Sequence, residues 1–171
     1  GLMRQLPGRM RLLPSESIWK GVEGKRVLIV NQADLLNKGD QAIFSATCQL
    51  VQKALPDAAI RVVTHTPIVD APRCPWPVVP TYRVLSLPPE EHILANLVLL
   101  CSTLLYQSLS RSAATKRLWE RLSSLLPPTL RAYAECDLVI SRGGDCWTED
   151  YGKPWLYLDA VSVALAFRKP C

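Results

Sequence analysis

The chain has 171 residues, a length that fits one compact domain or a piece of a larger one. Hydrophobic residues make up 49% and charged residues 20%, which supplies enough apolar material for a core and excludes a disordered chain. The longest apolar run, Ile93 to Tyr106, is interrupted by polar residues and is shorter than the roughly 20 residues of a membrane-spanning helix. We therefore expect a buried or interfacial helix there, without a transmembrane segment.

The net charge of +5 is concentrated near the first residues of the sequence. Residues 1–26 hold six basic and two acidic residues, so they carry +4 and leave the remainder almost neutral. We interpret residues 1–25 as a solvated basic arm and residues 26–171 as the folded domain. The arm lacks the continuous apolar segment and cleavage site of a signal peptide. The nearly neutral body predicts no nucleic-acid partner.

The six cysteines show neither a paired spacing nor a nearby histidine that would indicate a zinc site. We therefore expect no metal and no cofactor. Cys48, Cys101 and Cys136 fall on apolar faces of predicted elements, where cysteine behaves as a small hydrophobe. We interpret all six as reduced thiols, which favours a cytoplasmic protein.

A strand, a helix and a second strand are predicted in the first part of the sequence. Arg26–Val30 is a continuous apolar run, typical of a strand buried on both faces. Asp40–Leu55 follows as a helix with Asp40 as its N-cap, and Ile60–Val63 is the second strand. The apolar positions of the helix are Phe44, Cys48, Val51 and Leu55, widened by Ile43 and Leu50. Such a βαβ unit predicts a parallel sheet.

Helices dominate the rest of the sequence. Seven of the fourteen prolines fall between Pro67 and Pro89, so we expect that stretch to be irregular. Beyond it we predict helices over Glu90–Leu109 and Ala113–Leu126, the second with its apolar face on Leu118, Leu122 and Leu125. The remaining predictions are a short helix ending at Glu135, a third strand over Asp137–Ser141, a helix over Pro154–Phe167 and a further strand starting near 168–171. The last of these leads us to expect that the sequence stops inside the fold.

Two loops that follow predicted strands carry unusual residues. Asn37, Gly39 and Asp40 precede a helix, where free backbone N–H groups attract an anion and glycine permits close approach. A capped helix start and a substrate-contacting turn both explain this segment. Gly143 and Gly144 follow the third predicted strand and suit either a tight turn or a bare backbone surface against a sugar or phosphate.

Aromatic residues are dense after the second loop, at Trp147, Tyr151, Trp155 and Tyr157. Their rings can stack on sugars or fill a core, and we favour core packing for Trp155 and Tyr157. Signature motifs of P-loop nucleotidases, dinucleotide-binding domains, serine α/β-hydrolases and zincins do not occur in the sequence.

The two loops together resemble the polysaccharide pyruvyl transferase family. The resemblance rests on Asn37-x-Gly39-Asp40-x-Ala42-Ile43, on Asp137-Leu-Val-Ile-Ser-x-Gly143-Gly144, on Asp150-Tyr151-Gly152 and on Lys169-Pro170. It covers roughly residues 26–170, with little to support it between Pro67 and Ala132. It implies a Rossmann-like parallel sheet flanked by helices, as the incomplete first half of a two-domain fold of the glycosyltransferase-B type.

The resemblance also implies a function. Members of the family move the pyruvyl group of phosphoenolpyruvate onto hydroxyls of a sugar in a cell-surface polysaccharide. Asn37, Gly39, Asp40, Gly143 and Gly144 would line one wall of the cleft, and the residues for phosphoenolpyruvate would lie mostly in a second half. The fragment by itself would then be inactive. The chain departs from the family at Asp145-Cys146-Trp147, where a small residue is usual.

Two alternative functions stay open. One is a glycosyltransferase of the same two-domain shape that uses a nucleotide sugar. The other is a non-enzymatic interaction module whose apolar helix, Glu90–Leu109, docks on a membrane or on a partner. Asp40 is the candidate for a carboxylate that accepts a proton from a hydroxyl, beside its alternative role as an N-cap.

Overall fold

A computed structural model describes residues 26–32, 35–83, 89–110, 112–142 and 155–171. These residues form a sheet of four parallel strands in the order β3-β2-β1-β4. The strands are β1 (Arg26–Gln32), β2 (Ala59–Thr64), β3 (Val78–Pro80) and β4 (Leu138–Ser141). The helices are α1 (Lys38–Ala54), α2 (Pro67–Asp70), α3 (Pro89–Leu109), α4 (Ala113–Ser123), α5 (Pro128–Glu135) and α6 (Trp155–Ala166). The parallel sheet flanked by helices confirms the predicted α/β class.

Strand β1 is buried on both faces, as its continuous apolar sequence predicted. Successive side chains of a strand point to opposite faces, so β1 contributes to two separate cores. Val27 and Ile29 pack with α1, and Leu28 and Val30 pack with residues of α5 and α6. Helices therefore cover both faces of the sheet.

Helix α1 begins at Lys38. Its N-cap is Asn37, whereas the sequence predicted Asp40 in that role. The Asn37 side chain accepts a hydrogen bond of 2.9 Å from the backbone N–H of Gly39, and Asp40 lies in the first turn. The buried stripe is also narrower than predicted. Its four central apolar positions are buried, but Ile43 and Leu50 are exposed, because the sheet covers only one side of the helix.

The described part of the proline-rich stretch, residues 67–83, contains regular elements where the sequence predicted an irregular segment. It contains α2 and the edge strand β3, so the predicted third strand is the fourth in chain order. The Val62 N–H donates to the Pro77 carbonyl at 2.9 Å, and the Thr81 N–H donates to the Thr64 carbonyl at 2.9 Å. Proline is tolerated here because the missing N–H groups fall on an edge strand.

Helix α4 presents a different face to the core from the one predicted. Trp119 and Ser123 are buried, whereas Leu118 and Leu125 are exposed. The Trp119 ring packs edge-on against Tyr106 of α3, with centroids 5.3 Å apart. The burial of this large ring sets the rotation of the helix, so Leu118 faces outward and Leu122, the third residue of the predicted face, is half-buried.

Three cysteines were predicted to pack as small hydrophobes on apolar faces, and the structure confirms this for two of them. Cys48 and Cys136 are buried, and burial raises their thiol pKa values to about 12 and about 11. Cys101, predicted on an apolar packing face, is exposed on α3. Five cysteines lie among the described residues, and all five are free thiols.

Residues 169–171, where the sequence predicted that a further strand begins, form no regular strand themselves but lie beside β4, and the further strand stays a prediction. Helix α6 is followed by Arg168, whose φ of 53° turns the chain. The Val139 N–H of β4 then donates to the Pro170 carbonyl at 2.9 Å, so this segment lies beside the outer edge of β4.

We predict that Phe44→Ala lowers the free energy of unfolding by about 3–5 kcal/mol, because it leaves a cavity between α1 and the sheet. Leu50→Ala on the same helix is the control and should cost less than about 1 kcal/mol, since Leu50 is 64% exposed. Urea denaturation monitored by circular dichroism measures both values. Equal losses would contradict the assigned orientation of α1.

Candidate functional site

The candidate site lies where β1 and β4 end. The chain leaves β1 toward α1 on one face of the sheet, and α5, which precedes β4, packs on the other face. The strand order therefore changes direction at this pair of neighbouring strands. In open parallel α/β sheets, ligands bind in the crevice at the carboxyl ends of such strands.

An ion pair between Arg142 and Asp40 lies at the carboxyl ends of β1 and β4. Arg142, directly after β4, donates hydrogen bonds from its guanidinium to the Asp40 carboxylate and, at 3.1 Å, to the Asp40 carbonyl. The Arg142 backbone N–H donates to the Val30 carbonyl of β1 at 3.0 Å. The Arg142 side chain is only 2% exposed, so its contact with Asp40 is largely shielded from water. Arg142 thus connects β1, β4 and the first turn of α1.

Asn31 adds a second link between the two strands. Its backbone has a φ of 63°, and the β1–β2 register shifts at this position. Asparagine is among the few residues other than glycine that adopt this left-handed conformation readily. The buried Asn31 side chain donates a hydrogen bond from Nδ2 to Ser141 Oγ at 3.0 Å. The ends of β1 and β4 are therefore held together by side chains as well as by backbone.

A buried carboxylate holds the loop between β1 and α1. Asp70, the last residue of α2, accepts hydrogen bonds from the backbone N–H of Leu35 at 2.9 Å and from the hydroxyls of Thr64 and Thr66. Its side chain is almost completely buried. These bonds satisfy the carboxylate and tie the loop before α1 to the end of β2.

A further group of titratable side chains lies at the end of β2. Burial lowers the pKa of His65, the positive charge of Arg83 lowers it further, and Asp159 opposes them. Asp159 is the sole charged residue of α6 and is fully buried. Positive and negative groups thus lie together at the carboxyl ends of the strands.

The structure brings several of the predicted site residues together. Asn37, Gly39 and Asp40 form the start of α1, and Asp40 contacts the residue that precedes Gly143 in sequence. Gly143 and Gly144 themselves lie outside the described residues, as do Trp147 and Tyr151. For Trp155 and Tyr157 the structure describes only the backbone, which belongs to α6.

Sequence reasoning did not single out Arg142, nor four further polar residues of this edge. Asn31 follows the buried apolar Val30 of β1, and His65 follows the buried Thr64 that ends β2, so a polar residue at the end of a buried strand was an available signal. Asp159 is a single carboxylate in an otherwise apolar helix, which is also unusual enough to notice. Asp70 gave no signal, because its partners come from two separate segments, the loop at Leu35 and the end of β2 at Thr64 and Thr66.

Asp40 and Arg142 line none of three cavities among the described residues, although one of these borders the β1–α1 loop at Leu35 and the start of α1 at Gln41. Another, of about 340 Å³, lies at the amino ends of β1 and β4, where Arg26 pairs with Asp137. Lys169 lines it and donates hydrogen bonds to the Tyr106 hydroxyl and the Ala134 carbonyl. These contacts join separate elements of the fold, so we assign this cavity a structural role. No cluster of three or more potential metal ligands occurs among the described residues.

Comparison with known proteins gave no match: no protein-family model, no curated protein and no solved structure is significantly similar to this chain. The interpretation of the site therefore rests on its own geometry and on the motifs of the sequence.

We predict that Asp40→Asn lowers the free energy of unfolding by about 1–3 kcal/mol, because Arg142 then loses its charged partner in a buried position. A double-mutant cycle with Arg142→Gln should give a coupling energy of the same order. Asp57→Asn, at an exposed turn, is the control and should change stability little. Additive effects of Asp40→Asn and Arg142→Gln would contradict the ion pair.

We also predict that the protein loses stability as the pH falls below about 6.5, the ordinary pKa of histidine. The lowered pKa of His65 means that the unfolded chain binds a proton more readily than the folded one, so acid favours unfolding. His65→Gln should flatten this part of the pH profile, whereas His92→Gln, the control, should leave it. Urea denaturation between pH 5 and pH 8 measures the effect, and an unchanged slope in His65→Gln would refute it.

Proposed function

We propose that this chain forms the first α/β half of a polysaccharide pyruvyl transferase-like enzyme with a two-domain fold of the glycosyltransferase-B type. The substrates would be phosphoenolpyruvate and a sugar of a cell-surface polysaccharide. The observation that carries the proposal is the contact between Arg142 and Asp40, which joins the two family-like motifs at the carboxyl ends of neighbouring strands.

The proposed reaction forms a cyclic ketal. Two hydroxyl oxygens of the sugar bond to C2 of phosphoenolpyruvate, C3 takes up one of the two hydroxyl protons, and the bond from C2 to the phosphate oxygen breaks. The second hydroxyl proton goes to the base or to the departing phosphate. The protein must therefore bind a substrate with phosphate and carboxylate charges and must accept a proton from a sugar hydroxyl.

The described residues at this edge have chemistry that suits one side of such a cleft. Asp40 keeps Oδ2 free of hydrogen bonds among the described residues, and its side chain is 21% exposed, so a sugar hydroxyl can reach it. Arg142 holds the carboxylate through Oδ1 and thus acts as a positioning residue. Asp40 is the proposed proton acceptor.

A glycosyltransferase that uses a nucleotide sugar is the second candidate. The observation that favours it is the strand order, since the switch point of a parallel sheet commonly binds nucleotide phosphates. The two candidates differ in the anion that they bind, which gives a direct experiment.

We predict that millimolar phosphoenolpyruvate shifts the backbone amide signals of Gly39, Asp40 and Arg142 in heteronuclear NMR spectra of the chain. Inorganic phosphate should shift them less, because it lacks the carboxylate. Arg142→Gln should reduce the shifts, because it removes a positive charge and releases Asp40 from its position, and Lys53→Gln, exposed at the far end of α1, should preserve them.

Larger shifts of the same amides by uridine diphosphate than by phosphoenolpyruvate would favour the glycosyltransferase. If neither compound moves these signals, the placement of the substrate site at this edge is wrong. Circular dichroism of each variant provides the check that the fold is retained.

A further inference from the structure

Helix α3 exposes a continuous aliphatic face. Six large side chains on it, spaced as one side of a helix, are between 38% and 71% exposed: Ile93, Leu94, Leu97, Leu100, Leu104 and Leu105. We call these six residues the outer face of α3. Contiguous apolar surface of this kind on a folded protein marks an interaction site rather than random exposure.

The opposite side of α3 belongs to the protein core. Val98, Leu99, Tyr106 and Leu109 pack against the cluster beneath the sheet, and α3 contacts α4, α5 and α6. Among the described residues, α3 is the one helix long and apolar enough to cross a membrane, by length and composition alone. Because its inner side packs on the domain, a helix lying along a membrane surface fits these contacts, whereas a helix surrounded by lipid does not.

Asn96 is exposed on α3, and its side chain donates to the His92 carbonyl of the same helix at 2.8 Å. Ser102 and Thr103 are buried on the inner side of α3, where they donate to the Val98 and Leu100 carbonyls. The internal bond of Asn96 suits a surface against hydrocarbon, which offers no hydrogen-bonding partner. A protein partner would instead be expected to meet about one hydrogen bond per 100–200 Å² of interface.

The charges near α3 differ between its two ends. Glu90 and Glu91 lie in its first turn, and residues 92–110 contain no lysine, arginine, aspartate or glutamate. Residues 111–121, which follow, contain four basic residues and one acidic residue, so the basic end is the one complementary to an anionic surface. Arg117 and Arg121 are exposed on one side of α4, the helix that follows α3 directly. Basic residues beside an apolar helix attract anionic lipid headgroups.

We propose that the outer face of α3 docks on a membrane surface that contains anionic lipids, with the helix lying in the plane of the interface. The leucines enter the boundary between headgroups and acyl chains, and the arginines of α4 contact the headgroups. This proposal does not depend on the transferase proposal above, because it rests on a different surface.

Co-sedimentation of the full chain with lipid vesicles tests the proposal. Binding is expected to vesicles of phosphatidylcholine mixed with phosphatidylglycerol, and weaker binding to phosphatidylcholine alone. Leu97→Gln/Leu104→Gln should lower the partition coefficient by at least about tenfold, because two leucines lose their burial in lipid. Arg117→Gln/Arg121→Gln should weaken binding to the anionic vesicles alone, by roughly fivefold for each arginine.

The matched control is Leu50→Gln/Ile68→Gln, which removes two comparably exposed aliphatic side chains from α1 and α2. It should bind vesicles like the unaltered chain, and circular dichroism should show that all variants are folded. Absence of binding to the anionic vesicles, or an equal loss in the control, overturns the proposal. So does a dimer, detected by light scattering, that Leu97→Gln/Leu104→Gln dissociates, since a second copy would then cover the face.

Discussion

The pairing of β1 with a parallel strand on each side is the constraint on which the rest of the structure depends. A parallel neighbour requires a crossover connection, and two neighbours on opposite sides place these connections on opposite faces of the sheet. The β1 side chains must then be apolar on both faces, as they are. The same pairing sets the ends of β1 and β4 side by side and so brings Arg142 to the first turn of α1.

The two charged side chains in the crevice, Asp40 and Arg142, form an ion pair with each other. Asp40 lies in the first turn of α1, where free N–H groups favour a negative charge, and the buried Arg142 guanidinium favours that charge further. The ion pair therefore fixes the position of the carboxylate and ties α1 to the sheet. An anionic ligand that approaches this edge meets Arg142 already engaged, so additional positive groups must contribute to its binding. Arg83, which follows β3 and lies near enough to His65 to lower its pKa, supplies a positive charge on the same edge.

The two proposals concern surfaces of opposite character. The crevice is polar and held by hydrogen bonds from several elements, whereas the outer face of α3 is aliphatic, and the exposed Asn96 bonds to a carbonyl of the same helix. The fold allows both because α3 packs on the face of the sheet opposite to α1, away from Asp40. Membrane docking through α3 would therefore leave the start of α1 accessible to a substrate.

The sequence by itself determined the α/β class, the strands β1, β2 and β4, and the long helices, because hydrophobic periodicity is a local property that follows from burial. It also singled out Asp40. Only the tertiary structure decided that Asn37 caps α1, that Trp119 rather than Leu118 faces the core, and that Asp40 pairs with Arg142, 102 residues away. Capping, helix rotation and ion pairing depend on which surfaces meet after folding. A local pattern of residues does not contain that information, and the short strand β3 was missed for the same reason, since its pairing with β2 outweighs its prolines.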